Sequence, residues 1–149
     1  MAIKKSTYTG GAGRPMLHSP NVAHQPVTAI ILHTFTEAVA TTDILELAYL
    51  PADCKILAAE VMSVNTGATT FDVGFMSGDV GSKDPARTVD AALFDNATPT
   101  TKVEASVLAL AALTKSQSHR SIGVVPSANI AANTATKLAL RLTYAKGGQ

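Results

Sequence analysis

The segment TKLALRLTYA, residues 136–145, alternates between large apolar side chains and polar or small ones. Successive side chains of a β-strand point to opposite faces of the sheet, so this alternation predicts a strand with one buried face. The predicted buried face holds Leu138, Leu140, Leu142 and Tyr144. The segment TTFDVGFMS, residues 69–77, has the same period and turns Phe71, Val73 and Phe75 to one face.

Five further segments, bounded by turn-forming residues, are typical of strands: VTAIILHTFT (27–36), DILELAYL (43–50), KILAAEVMSVN (55–65), RTVDAALF (87–94) and HRSIGVVPS (119–127). The first is β-branched and largely apolar, which predicts a buried strand. The segment VEASVLALAAL (103–113) fits both a helical stripe and a strand alternation. Its Ala and Leu content favours a short helix, or an irregular crossing between strands.

Seven or eight short strands separated by turns predict an all-β fold, an antiparallel β-sandwich of the jelly-roll type, over residues 27–149. Residues 1–26 show neither a strand nor a helix period and contain three Gly and three Pro. They predict an extended N-terminal arm, either a strap that orders against a neighbouring subunit or a mobile tail.

The composition of the chain excludes several kinds of site and several classes of protein. The chain has 149 residues, no Trp, 5% aromatics and one cysteine, so an intrachain disulfide and a Cys-rich zinc site are excluded. No apolar run approaches the ~20 residues of a membrane helix, and nothing points to secretion. The arm and residues 114–149 carry basic residues without acids, whereas all eleven acids lie between them. Such blocks can mark contact faces, although interleaved strands can also average them out.

The stretch FDVGFMSGDVGSKDPAR, residues 71–87, is rich in Asp and Gly, which makes it a candidate for a metal or phosphate site. Its acids, Asp72, Asp79 and Asp84, lack the spacing of a calcium loop, and no phosphate-loop motif is present. His18, His24, His33 and His119 are not at metal-ligand spacing, and Cys54 has no recognisable base. We therefore expect no catalytic, cofactor or metal site, and no enzyme activity. The stretch itself predicts a polar turn after a strand.

Two stretches carry a family resemblance: TTDILELAYLPADCKILAAEVMSVNTGATTFDVGFMSGD (41–79) and RSIGVVPSANIAANTATKLALRLTYA (120–145). Together they cover somewhat under half of the chain. Their succession of strands and turns resembles the jelly-roll head decoration, or cement, proteins of tailed bacteriophages. The resemblance implies a structural virion protein on the capsid surface, made in the bacterial cytoplasm. It also implies two partners, the major capsid protein and further copies of the same chain in a dimer or trimer. It implies no direct binding to nucleic acid or to a membrane.

Charge and expected exposure, rather than a family motif, select the predicted contact residues. They are Lys4, Lys5, Arg14 and Pro15 in the arm, and Asp79, Lys83, Asp84 and Arg87 in the loop after TTFDVGFMS. Two alternatives remain open at this point. One is a ligand- or receptor-binding jelly roll of a phage tail or fibre, and the other is a cupin-type enzyme, which the spacing of the histidines disfavours.

Overall fold

The computed structural model describes residues 2–7, 9–10, 16–17, 19–20, 25–98, 103–104 and 110–147. Nine strands and one helical turn lie in these ranges: β1 (Ile3–Lys5), β2 (Val27–Thr34), β3 (Ile44–Leu50), β4 (Cys54–Val64), β5 (Phe71–Phe75), β6 (Phe94–Ala97), β7 (Val103–Glu104), α1 (Leu110–Leu113), β8 (Arg120–Pro126) and β9 (Lys137–Lys146). In the same ranges, no helix has the length and hydropathy needed to cross a bilayer.

The strands form two sheets, ordered β1-β3-β8-β5-β6 and β2-β9-β4-β7. From β2 to β5 consecutive strands alternate between the sheets, and β8 and β9 return to the centres of the two sheets. Apart from β1, every pairing between strands is antiparallel. With β1 left aside, each sheet has four strands, and this arrangement with Greek-key connections is that of a jelly roll, so the predicted fold class is confirmed.

The core lies between the two sheets, and aliphatic side chains fill most of it. Leu138, Leu140, Leu142 and Tyr144 of β9 are all 0% exposed, as their alternation predicts. From the opposite sheet, Phe71, Val73 and Phe75 of β5 join the same cluster. Burying one such side chain contributes on the order of 1.5–3 kcal/mol, so the two alternating strands supply much of the stability of the sandwich.

Strand β5 is buried on both faces, whereas its alternation predicts one polar face. The segment that follows it folds back over the outer face, where Asp90 accepts hydrogen bonds from the backbone N–H groups of Phe75 (2.8 Å) and Ala92 (3.0 Å). The backbone comes so close that a Cβ on Gly74 would lie 2.5 Å from the nitrogen of Ala91. Only glycine fits at this position.

Strand β2 departs from its prediction in the opposite direction. The sequence indicates a buried strand, but Ile30 is 72% exposed and Leu32 is 52% exposed. Only the alternate residues Ile31 and His33 are buried. The strand lies at the edge of its sheet, and its outer face has no layer over it in the part of the chain that the structure describes.

The expected N-terminal arm is extended, but its described part packs onto the domain rather than away from it. Strand β1 pairs in parallel with β3, with Ile3 opposite Ile44. Ser6 and Leu17 are also buried, and Leu17 donates its N–H to the carbonyl of Tyr49 at 2.9 Å. The expectation that this segment lacks packed structure is therefore wrong for these residues.

Two other segments resolve into smaller elements than expected. In RTVDAALF the only strand residue is Phe94, which begins β6, and Val89 makes an isolated bridge with Met76. The segment 103–113 begins as the two-residue strand β7 and ends as the single helical turn α1. Residues 105–109 lie outside the described residues.

Candidate functional site

The two lysines of β1 both bind carboxylates of the same chain. Lys4 Nζ lies 2.5 Å from Glu37 Oε1, and this hydrogen bond raises the pKa of Lys4. Lys5 Nζ is paired with Oε2 of Glu46 and donates to the carbonyl of Gly81 at 3.1 Å. Because both ammonium groups have internal partners, β1 does not present two unpaired cations to a second molecule.

Glu46, in β3, is the centre of a buried charge cluster. Its side chain is 0% exposed. Oε1 accepts hydrogen bonds from Nη1 of Arg87 (3.0 Å), Oγ of Ser121 (2.6 Å) and the backbone N–H of Gly81 (3.1 Å), while Oε2 is paired with Lys5. We call Lys5, Glu46, Arg87 and Ser121 the Glu46 cluster. It joins β1, β3, β8 and the loop between β5 and β6.

The cluster keeps its carboxylate ionised. Burial by itself would raise the pKa of Glu46, but hydrogen bonds from Lys5, Ser121, Gly81 and Arg87 outweigh it and hold the pKa below its usual value. Hydrogen bonds donated to a carboxylate favour the charged form. Lys5 and Arg87 both contact the carboxylate of Glu46, so two positive charges compensate this buried negative charge.

Arg87 is buried, which corrects the expectation that it forms part of an exposed rim. Its side chain is 2% exposed. Besides Glu46, it binds the carbonyls of Ser77 (2.7 Å) and Ser82 (2.7 Å) and the hydroxyl of Ser121 (3.0 Å). A planar guanidinium with five donors is suited to such a multiple contact. Arg87 therefore holds the two sides of its own loop together.

The other three predicted loop residues, Asp79, Lys83 and Asp84, are exposed. Asp84 is part of the turn, since its Oδ1 accepts the N–H of Ala86 at 2.9 Å. The loop backbone is fixed at Gly78, whose φ of +77° suits glycine and whose Cα faces the side chain of Arg87. The three charged groups thus lie on one loop whose backbone is held by hydrogen bonds from Arg87 and Lys5, and we call it the charged loop (residues 78–86).

Arg14 and Pro15, the remaining predicted contacts, lie outside the described residues. The predicted set is therefore divided: Lys4 and Lys5 are on β1, Asp79, Lys83 and Asp84 are on the charged loop, and Arg87 is beneath it. Lys5 and the charged loop are brought together, because Lys5 binds the carbonyl of Gly81.

Sequence reasoning missed Glu46. The only signal for it is its position between apolar residues in the segment DILELAYL, whose other acid, Asp43, stands at the start of the segment. An isolated carboxylate in a strand expected to be buried needs a charged partner, but the sequence does not say which residue provides it.

The acids, the histidines and the cysteine that the sequence offers as candidate metal ligands or nucleophiles do not form a common site in the described residues. Asp72 accepts the N–H of Asn96 (2.8 Å), away from the charged loop. In the described ranges, no three His, Cys, Asp or Glu residues come together as metal ligands. Burial raises the pKa of Cys54, which disfavours the thiolate. His33 Nδ1 accepts the N–H of Thr7 at 2.9 Å, and burial lowers the pKa of His33 to about 4, so it is a neutral structural imidazole.

A cleft of about 630 Å³ lies between β1 and the end of β2. Its lining includes Lys4, Lys5, His33 and Glu37. The lysines pair with carboxylates and His33 with Thr7, as described above. The hydroxyl of Thr7, which also lines the cleft, lies 3.2 Å from Nδ1 of His33. That nitrogen also accepts the N–H of Thr7, and burial lowers the pKa of His33 to about 4, so the imidazole is a weak base for this hydroxyl.

Comparison with solved structures supplies the class of protein. A chain in the capsid of Ralstonia phage GP4 is 32% identical, with a TM-score of 0.81, and the match covers 99% of this chain and 100% of that one. A chain in the capsid asymmetric unit of cyanophage Pam1 is 19% identical with a TM-score of 0.56, covering 91% and 95% of the two chains, which shows a shared fold. No family model matches the sequence, and comparison with curated proteins gives no match.

The match to the Ralstonia phage GP4 chain covers almost all of both chains, and their 32% sequence identity indicates common descent. This protein therefore belongs to a family of phage capsid proteins. Its role is that of a structural virion component.

Proposed function

We propose that the protein is a head decoration, or cement, protein. It binds the outer surface of the capsid, bridges neighbouring copies of the major capsid protein and stabilises the head against the pressure of packed DNA. The observation that carries the proposal is the end-to-end match to a capsid chain of the same small size. The match covers nearly the full length of both chains, and a jelly roll of this size suits a protein that is added to a shell.

The proposed partners are the major capsid protein and further copies of the chain, as a dimer or trimer. The proposed location is the capsid surface of the virion, with neither nucleic acid nor membrane as a direct partner. The internal ion pairs of Lys4 and Lys5 support this, because they remove two cations from the basic block that could otherwise bind phosphate groups. Contacts with protein surfaces of mixed charge need no such block.

The charged loop is the surface that we propose for capsid contact. It presents acids and a lysine together, with Asp79, Lys83 and Asp84 all exposed. Arg87 and Lys5 hold the loop backbone from below, so less conformational entropy is lost when the loop binds. Lys5 and Arg87 thus act as positioning residues, and the predicted contacts at Arg14 and Pro15 remain part of the proposal.

The test uses purified heads that lack the chain. Added wild-type protein should bind them and raise the temperature at which they release DNA. The triple variant Asp79→Ser, Lys83→Ser, Asp84→Ser should bind at least about tenfold more weakly, equivalent to ~1.4 kcal/mol. Lys137→Ser, which removes an exposed lysine from the other sheet, is the control and should bind normally.

The two proteins test the proposed cement function and the proposed contact surface separately. If wild-type protein neither binds nor stabilises heads, the cement function is wrong. If it does both and the triple variant binds equally well, the function stands and the charged loop is not the contact.

A further inference from the structure

Strand β2 has one edge that bonds to β9 and one that faces away from it. The N–H of Phe35, which continues the register, donates to the carbonyl of Thr136 at 3.0 Å. The N–H of Thr34 points elsewhere and donates to Oγ1 of Thr7 at 3.1 Å. Because backbone groups of alternate residues in a strand point to opposite sides, Thr28, Ile30 and Leu32 direct their N–H and C=O groups away from β9.

Between Thr28 and Leu32 this outward edge lacks the features that usually block strand addition, whereas at Thr34 the hydroxyl of Thr7 covers it. Lys, Pro or a bulge commonly protects an exposed edge. The eight residues of β2 contain no charged residue and no proline, and their register with β9 runs without a shift from Val27 to Thr34. In the described parts of the chain, no strand pairs with this edge.

The outer face of the sheet that contains β2 also carries exposed apolar side chains. Ile30 and Leu32 are its exposed side chains, and Met62 and Val64 of β4, 42% and 57% exposed, lie on the same face. A shallow groove of about 270 Å³ runs beside Ile30 and Met62. Exposed apolar side chains that cluster in this way are typical of a surface that contacts another protein.

We propose that β2 pairs antiparallel with β2 of a second copy, across a two-fold axis at Ile30. The pairing would join the two four-stranded sheets into one of eight strands. Ile30 would lie opposite Ile30 of the other copy, and Thr28 opposite Leu32. This inference identifies a self-association surface and does not depend on capsid binding.

The hydrogen-bonding groups favour a second copy as the occupant. In this register three residues of each copy, Thr28, Ile30 and Leu32, supply three donors and three acceptors that match the same set on the other. The next pair would be Pro26 and Thr34. Proline has no N–H, and the N–H of Thr34 already binds Thr7, so the ladder ends without an unpaired donor.

Electrostatics does not oppose the pairing. An uncharged strand places no charge against its own copy at a two-fold axis. The nearest cation, Arg141, lies beside Ile30 on β9 and is paired with Glu60. Three strand spacings would separate Arg141 from its copy, about 14 Å, which exceeds the Debye length of roughly 8 Å at physiological ionic strength.

The first test is the mass of the purified chain by sedimentation over a wide concentration range. We expect a dimer of twice the 15.4 kDa chain, and a monomer for Ile30→Pro. Proline is tolerated at an edge position whose N–H faces away from the sheet, and thermal unfolding checks that the variant is folded. The matched control is Val64→Lys, which changes an exposed apolar residue of the same face on interior strand β4 and should remain a dimer.

The second test fixes the register. Directly opposed residues of a hydrogen-bonded pair have Cα atoms about 5.5 Å apart, within the range for a disulfide. Ile30→Cys should therefore form a covalent dimer under mild oxidation. Thr28→Cys should not, because four residues, about 13 Å along the strand, offset it from its own copy. A monomeric wild-type chain, a dimeric Ile30→Pro variant or equal cross-linking of the two cysteine variants would overturn the proposal.

Discussion

Nη1 of Arg87 lies 3.0 Å from Oε1 of Glu46, and the two side chains are 2% and 0% exposed. The pair connects the loop after β5 to the centre of β3. Removing one partner of a buried ion pair leaves the other uncompensated in a medium of low polarity, which costs far more than losing an exposed pair. The position of the charged loop therefore depends on a carboxylate that no solvent reaches.

We expect Glu46→Gln to lower the free energy of unfolding by about 3–5 kcal/mol. The variant keeps the size of the side chain but leaves Lys5 and Arg87 without their anion. Urea unfolding at neutral pH measures the change. The control is Glu37→Gln, because Glu37 is the carboxylate partner of Lys4 and is 67% exposed. It should be nearly as stable as wild type, and equal stability of the two variants would contradict a structural role for the Glu46 cluster.

The buried imidazole of His33 should make stability fall in mild acid. Burial lowers the pKa of His33 to about 4, against 6.5 in an unfolded chain. Its contribution is therefore fully present above pH 6.5 and is lost as the pH falls through about 4. Protonation would also place a donor at Nδ1 against the N–H of Thr7.

The measurement for His33 is the stability of wild type and of His33→Asn from neutral pH down to pH 4.5. The amide oxygen of Asn can still accept from Thr7 and does not titrate. Wild type should lose stability over this range, and His33→Asn should lose less. Parallel curves for the two proteins would show that the imidazole is not the group responsible.

Deletion of residues 2–7 should destabilise the domain rather than remove a separable arm. The deletion removes Ile3, which packs with Ile44 and Met76, and the loss of one buried aliphatic side chain alone costs roughly 1.5–3 kcal/mol. It also removes Lys5 from the Glu46 cluster. The midpoint of urea unfolding should fall clearly, while Lys4→Ser, which affects only the outer ion pair, should leave it almost unchanged. A truncated chain as stable as wild type would restore the interpretation of this segment as an independent strap.

Local alternation was sufficient to predict the strands that form the core. Leu138, Leu140 and Leu142 are buried as their period requires, because one face of each sheet packs against the other. The burial of the second face of a strand is not a local property. Gly74 and Met76 are covered by chain that returns from a later segment, and no period within β5 indicates that return.

The candidate site was less predictable for the same physical reason. Glu46 and Arg87 are 41 residues apart, and Glu46 and Ser121 are 75 apart, so only the folded topology joins them. The exposure of Ile30 depends on whether another layer covers that face of the sheet, which the sequence of β2 does not indicate. Met62 and Val64 of the interior strand β4 are exposed on the same face. Asp79 and Lys83 could be predicted as exposed because a polar turn rich in Gly and Pro has no apolar side to bury.

We propose that this protein is part of the capsid surface. The measurement that tests it most directly is its copy number in purified virions, by quantitative mass spectrometry against the major capsid protein. The account predicts a number that scales with that of the major capsid protein and that falls to background in particles from a phage lacking the gene. A few copies per particle would indicate a tail or fibre component, and either that result or its absence from virions would contradict the account.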